Sequence, residues 1–314
     1  MTYATGGCII IRINGERAAY LTEEAFFMKK RIAALVLALA MIFTCSAAFA
    51  DKLDDIKAAG KLIVGSEVTF APYEFYYTDP ETGEEYMAGF EMDLARGLAD
   101  ELGVVLDVRD QSFAGLITAL RAGELDCIIS GMAIKPDRME VVDFSTPYYI
   151  GEQVMLVRAE DLEKYKTADD FAGLKIGAQL GSLQQGVAEE QFSQSETLLL
   201  DKVPLLMLEL TQGNIEGVLC TDVVGKSYMT VYPGLAVSEV PIDFTSSGVA
   251  VAVAKGDNEA LLTAINDYIA KVTSNGEFDA WFATAMEQNG QLLEAEATAE
   301  SEETAETEGE STEG

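Results

Sequence analysis

GFEMDLARGLADELGVVLDVRD, Gly89 to Asp110, carries two periodicities back to back. Its first part spaces Met92, Leu94, Ala95, Leu98 and Leu102 along one helical face, and Gly103 supplies a stop. Its second part, from Val104, alternates apolar and polar residues as a half-buried strand does. A helix feeding a strand across one glycine is half of a βαβ unit. The flanks complete it. KLIVG (Lys61–Gly65) reads as a strand, preceded by a short helix over Asp51–Ala59 that Gly60 ends. FAGLITALRAG (Phe113–Gly123) reads as a second amphipathic helix with Ser112 as its N-cap, and LDCIIS (Leu125–Ser130) as a third strand.

The rhythm then repeats. LKIGAQLG (Leu174–Gly181) is a strand and turn, and SLQQGVAEEQF (Ser182–Phe192) a helix opened by a serine. LLLDKV (Leu198–Val203) is short and apolar. A helix begins near Pro204, and IEGVLC (Ile215–Cys220) is another strand. SGVAVAVAK (Ser247–Lys255) reads as a strand, and Ala260–Met286 as a helical pair broken at Asn275-Gly276. Strands alternating with helices predict α/β architecture with mostly parallel sheets, here in two lobes.

The ends of the chain are of another kind. Met28-Lys-Lys-Arg31, the apolar run Ile32–Phe43 and Ala48-Phe49-Ala50 together form the order of a secretory signal, cut after Ala50. Residues 1–27 are read as a mis-called start. Two alternatives remain for 28–50: an uncleaved anchor, although the apolar core is short for a span of about 20 residues, and lipid attachment at Cys45, although Thr44 suits that poorly. From Glu294 to Gly314 the chain holds nine glutamates and no basic residue, which predicts a disordered acidic tail.

Composition excludes several functions. A formal charge of −32 argues against nucleic acid, whose phosphates need a basic face. There is no histidine, which removes the commonest general base and most metal chemistry. Cys127 and Cys220 lie in apolar runs and read as small buried residues. No C-x-x-C spacing exists, and neither metal nor cofactor is expected.

In open α/β sheets ligands collect beyond the carboxyl ends of strands, near helix N-termini. Those places hold Glu67 and Phe70, Phe113, Ser130 to Ala133, Gly181 to Leu183, and Thr221 with Asp222. Two aromatic faces, backbone N–H groups and carboxylates suit a small zwitterion. Arg138, at the end of SGMAIKPDR (Ser130–Arg138), supplies a guanidinium.

SEVTFAPYEF, GFEMDLARGLADEL, SFAGLITALRAGELD, SGMAIKPDRMEVVDFSTPYY and GAQLGS follow one another along a chain that resembles the polar amino-acid-binding proteins of bacterial ABC importers, solute-binding protein family 3, whose motifs are expected in this order. The resemblance covers about Lys61 to Met286. It implies a two-lobe periplasmic binding protein of type II, each lobe a mixed, mostly parallel sheet flanked by helices, joined by two hinge strands. Lobe one is expected at 51–154 plus 244–293 and lobe two at 155–243. Arg138 matches the arginine that grips a ligand α-carboxylate through two parallel charge-assisted bonds. Backbone N–H groups at Gly131 and Ala133, beside Ser130, add to that grip. Gln179, Ser182 and Leu183 match the second-lobe turn, where helix N-terminal amides meet the carboxylate. Phe70 and Phe113 match aromatics that sandwich the ligand, where core packing is the bland alternative. Glu67 matches an acidic position that reads the ligand's far end, which favours arginine or lysine over glutamine.

Two departures stand out. Ala133 replaces a usual Ser or Thr, and Thr221 a usual Asp or Glu, with Asp222 one residue later. Either Asp222 shifts into the role of holding the ligand ammonium or that group is held differently.

The implied function is capture of a polar amino acid, cationic or glutamine-like, and its delivery to an ABC permease and ATPase by an exported monomer. An enzyme on the same fold, such as a cyclohexadienyl dehydratase with Glu67 or Asp222 as acid, and a sensory binding domain are the alternatives. The signal reading predicts that the exported product begins at Asp51. Intact mass of the secreted protein checks this, and a mass retaining Met1, or a lipid on Cys45, refutes it.

Overall fold

A computed structural model of the chain describes residues 51–310 apart from 245–247 and 257, with side chains as far as Ala295. The expected leader, 1–50, and the last four residues lie outside the described residues.

Thirteen strands follow in order among the described residues: β1 (Lys61–Ser66), β2 (Thr69–Phe70), β3 (Glu74–Thr78), β4 (Glu85–Ala88), β5 (Val105–Asp110), β6 (Cys127–Ile128), β7 (Val142–Phe144), β8 (Gln153–Arg158), β9 (Lys175–Gln179), β10 (Glu196–Leu200), β11 (Gly217–Thr221), β12 (Leu235–Val237) and β13 (Ala252–Ala254). Ten of them form two five-stranded sheets. The first is ordered β5-β1-β6-β13-β7 and the second β10-β9-β11-β8-β12. In each, four strands run in one direction and one, β13 in the first sheet and β8 in the second, runs against them. Both sheets are therefore mixed, as the α/β reading expected.

The chain crosses between the sheets twice, after β7 and after β12. The two crossings pair with each other. Val249 N–H donates to Tyr149 O at 2.9 Å, and Tyr148 N–H to Val249 O at 3.1 Å. The boundary expected at 154/155 falls inside β8, whose whole length pairs in the second sheet, so that sheet begins at Gln153.

Local sequence accounts for the helices that frame the site. The helix Phe90–Leu102 buries Phe90, Met92, Leu94, Ala95 and Leu98, and stops at Gly103 in the left-handed conformation. Ser182 caps the helix Leu183–Gln191 by accepting from Gln185 N–H at 3.1 Å. Pro136 opens the single turn Pro136–Met139 that carries Arg138. Ser112 makes no capping bond. The segment after it starts as a 3₁₀ turn, Phe113–Gly115, before the helix Leu116–Arg121. Both cysteines are free and buried, and burial pushes the Cys220 thiol up to about 12.

Two features depart from the sequence reading. A third, antiparallel sheet, β2-β3-β4, lies where no strands were expected. The last helix runs Glu277–Glu310, so the backbone of the acidic segment continues as helix where a disordered tail was expected. Alanine and glutamate are both strong helix formers, and the helix is already nucleated by its packed first part. No helix among the described residues is long and apolar enough to cross a membrane.

Phe171 anchors the second lobe's core. It is fully buried, stacked on Tyr165 at 4.4 Å and edge-on to Phe192 at 5.7 Å. Phe171→Ala is expected to cost about 3–5 kcal/mol through the cavity it leaves. Urea unfolding followed by circular dichroism measures this, and a midpoint unchanged from the parent would refute it.

Candidate functional site

The cleft lies between the two sheets. Its volume is about 560 Å³ counted to its mouth. It is lined by Glu67, Phe70, Phe113, Ser130, Gly131, Ala133 and Arg138 from the first lobe and by Gln179, Ser182, Leu183 and Thr221 from the second. All of the sequence-selected residues except Asp222 are therefore brought together.

Arg138 is 5% exposed. Its Nη1 donates to Ala133 O at 2.8 Å and its Nη2 to Gly181 O, across the cleft, at 3.0 Å. The guanidinium lies over the Phe113 ring, 5.4 Å from its centre. Burial pulls its pKa down to about 10, partly offset by Asp137, so it stays charged at neutral pH. No protein carboxylate forms an ion pair with it among the described residues. Carbonyl dipoles solvate this charge without neutralising it, and a buried cation is stable only when paired or well hydrogen-bonded. The cleft also receives the start of the helix Leu183–Gln191, whose first amides carry partial positive charge.

The cleft lining also includes acidic groups. Glu67 is 2% exposed and accepts from the Thr69 hydroxyl and from Gln179 Nε2 at 3.2 Å. The second contact ties the lobes together, because Gln179 also donates to Asp201 O at 2.9 Å. Burial raises the Glu67 pKa, and these two hydrogen bonds oppose the rise. Glu67 is thus largely satisfied by protein donors.

Sequence reading missed Glu74, Tyr73, Gly151, Gln153, Gln184, Gly248 and Val249, which also line the cleft. It missed Glu91 behind them. Glu74 lay in the quoted motif APYEF, and its position two residues past a proline turn in a cleft-forming segment was the available signal. Tyr73 packs on Phe70 at 4.8 Å and Phe90 at 4.6 Å, so the Phe70 wall is the front of an aromatic cluster.

Three expectations need correction. Gly131 lines the cleft, but its N–H already donates to both Glu91 oxygens at 2.9 Å and is not free for a ligand. Ser130 is likewise engaged, accepting from Glu67 N–H at 2.9 Å and donating to Glu74 Oε1 at 2.8 Å. Asp222 does not line the cleft. It starts the helix Asp222–Val231, ion-pairs with Lys226 at 2.8 Å and accepts from Glu152 N–H at 3.3 Å. Thr221 is the member of that pair that faces the cleft. Its hydroxyl is buried and makes no well-aligned hydrogen bond, although the Tyr73 hydroxyl is close enough to feel it.

The matching family model is that of the bacterial extracellular solute-binding proteins, family 3, over residues 62–287. The chain belongs to this family. ABC transporter arginine-binding protein 1 of Escherichia coli (strain K12) is 29% identical over 262 residues, covering 81% of this chain and 99% of the relative. The L-cystine-binding protein TcyJ of the same strain is 32% identical over 259 residues, covering 79% and 93%. Among solved structures, the amino acid ABC transporter substrate-binding protein AbpA from Streptococcus pneumoniae Canada MDR_19A bound to L-arginine superposes with a TM-score of 0.72 at 32% identity, covering 75% of this chain and 98% of that one. The mixed α/β fold with two sheets is that of type II periplasmic binding proteins.

Closure depends on a close approach at Gly181. Its φ is +75°, and a Cβ there would come within 3.0 Å of Ala114 across the cleft. Gly181→Ala is expected to hold the lobes apart and enlarge the radius of gyration in solution X-ray scattering. An unchanged scattering curve would show that this contact does not limit closure.

Proposed function

We propose that the chain is the exported binding subunit of an amino-acid ABC importer and that its ligand is a cationic amino acid, arginine or lysine, gripped between the lobes. The observation that carries this is Arg138, a buried guanidinium without a protein carboxylate, placed where both lobes converge. A ligand α-carboxylate completes the charge there, with help from the amides at Ser182 and Leu183. The cleft lining combines this cation with two acids, Glu67 and Glu74. A zwitterion with a second positive charge matches this polarity, and the rings of Phe70 and Phe113 suit an aliphatic stem or a stacked guanidinium. The Thr221 hydroxyl is the cleft-facing group offered to the α-ammonium, with Asp222 turned to Lys226.

Capture requires the lobes to part and close. The paired crossings at Tyr149 and Val249 are the natural hinge, and the Gln179–Glu67 and Arg138–Gly181 contacts form only when the lobes meet. The closed form is what a permease would accept. The reading is binding without turnover, so prephenate and arogenate are expected to be recovered unchanged.

A thermal-shift screen of the proteinogenic amino acids, followed by calorimetry, tests the proposal, since a ligand of the native state raises apparent stability. L-arginine and L-lysine are expected to give the largest shifts. Arg138→Ala is expected to weaken binding by roughly two to four powers of ten, from two bonds of about 1.5–3 kcal/mol each at about 1.4 kcal/mol per decade. Tightest binding of glutamate, or undiminished affinity in Arg138→Ala, would overturn it.

A further inference from the structure

Behind the acidic end of the cleft is a second, hidden carboxylate. Glu74 and Glu91 are both 0% exposed. Their carboxyl groups are served by adjacent residues, Glu74 by Ser130 and Glu91 by Gly131 N–H, which places them side by side. Neither forms an ion pair with a lysine or arginine among the described residues. Their hydrogen-bond supply is unequal. Glu91 Oε1 accepts from the Tyr148 hydroxyl at 2.6 Å, and both its oxygens accept from Gly131 N–H at 2.9 Å. Glu74 Oε1 accepts only from Ser130 Oγ at 2.8 Å, and its Oε2, buried, finds no donor.

Two bare carboxylates in contact without water or counter-charge repel strongly, and one of them takes up a proton. The donors around Glu91 support its anion. The orphaned Oε2 makes Glu74 the acid of the pair, able to donate to Glu91. Burial and the Glu91 charge push the Glu74 pKa well above its ordinary value, in the same sense.

The other groups facing the pair do not supply a cation. Glu67, at the end of β1, adds negative charge, and Tyr148, on the first crossing, is held neutral by burial. Lys202 and Asp110 act on Glu67 in opposite directions and more remotely. Arg138 is committed to the carbonyls of Ala133 and Gly181.

We propose that Glu74 is a specificity-determining residue whose cleft-side carboxyl holds a proton in the free protein and exchanges it for the side-chain cation of the ligand. The proposal rests on the amino-acid reading above and deepens it. The exchange balances. A guanidinium or ammonium enters beside Glu74, the Glu74 O–H bond breaks, and the proton leaves to solvent, so the buried net charge is unchanged. A neutral side chain such as that of glutamine has no charge to give, and binds with the proton retained. Glu67, already served by Thr69 and Gln179, has less need of the ligand.

Isothermal titration of the wild-type protein with L-arginine, L-lysine and L-glutamine, each in phosphate and in Tris at matched pH from 5 to 8, counts the protons. The dependence of observed enthalpy on buffer ionisation enthalpy is expected to give a release approaching one proton per arginine or lysine, and none for glutamine. Because the free protein holds the proton, arginine affinity is expected to rise with pH, by up to about tenfold per unit below the Glu74 pKa. Glu74→Gln is expected to remove both the release and the pH dependence. Arginine or lysine bound without proton release anywhere in that range overturns the exchange, as does a release undiminished in Glu74→Gln. If that variant does not fold, the wild-type buffer comparison decides alone. Tight binding of glutamine only would overturn the exchange while sparing the amino-acid reading, and binding of no amino acid would overturn both.

Discussion

The site is organised around one charge that the fold buries without neutralising. Arg138 reaches between the lobes from a single turn that Pro136 opens, and its guanidinium is held by one carbonyl from each lobe. Carbonyls fix its direction but leave it a cation. Much of the surrounding design follows from keeping that charge aimed and dry. Phe113 lies beneath it, and Gly181 lets the opposing turn come close enough for its carbonyl to reach. The Ser182 cap keeps the helix beyond that turn pointed at the same spot.

The acidic part of the cleft has the complementary problem. Three carboxyl groups, Glu67, Glu74 and Glu91, are buried within one small region. Each is stabilised differently: Glu67 by donors from both lobes, Glu91 by a tyrosine and a backbone amide, Glu74 by little more than a serine. The gradient in donor supply separates structural carboxylates from one available to a ligand. Together with Arg138, it gives the cleft a direction. On the proposed reading, a zwitterion enters with its carboxylate toward the guanidinium and its side chain toward the acids, and reversal would set like charges together.

The two-lobed α/β body was legible because its helices carry strong apolar stripes and clear stops, as at Met92, Leu94, Leu98 and Gly103. The cap at the second-lobe turn was legible for the same local reason, at Ser182. The small β2-β3-β4 sheet was not. Its strands are short, and in β3 the exposed Tyr76 stands between the buried Phe75 and Tyr77, so a run of three aromatics hides the alternation. Glu74 and Glu91 escaped notice because carboxylates are almost never fully buried, so a glutamate in a helix or strand reads as a solvated side chain. Gly131 was read as a ligand donor because the competing acceptor, Glu91, lies 40 residues away in sequence. Asp222 fails as a ligand group for a reason visible only in the fold. It begins a helix, and Lys226, one turn on, claims its carboxylate.

A crystal structure of the protein grown with L-arginine tests the central claim most directly. The account predicts the ligand carboxylate in a two-bonded fork with Arg138, its stem between Phe70 and Phe113, and its guanidinium against Glu74. An arginine bound in the reverse orientation, or seated in the cleft with its carboxylate away from Arg138, would contradict it.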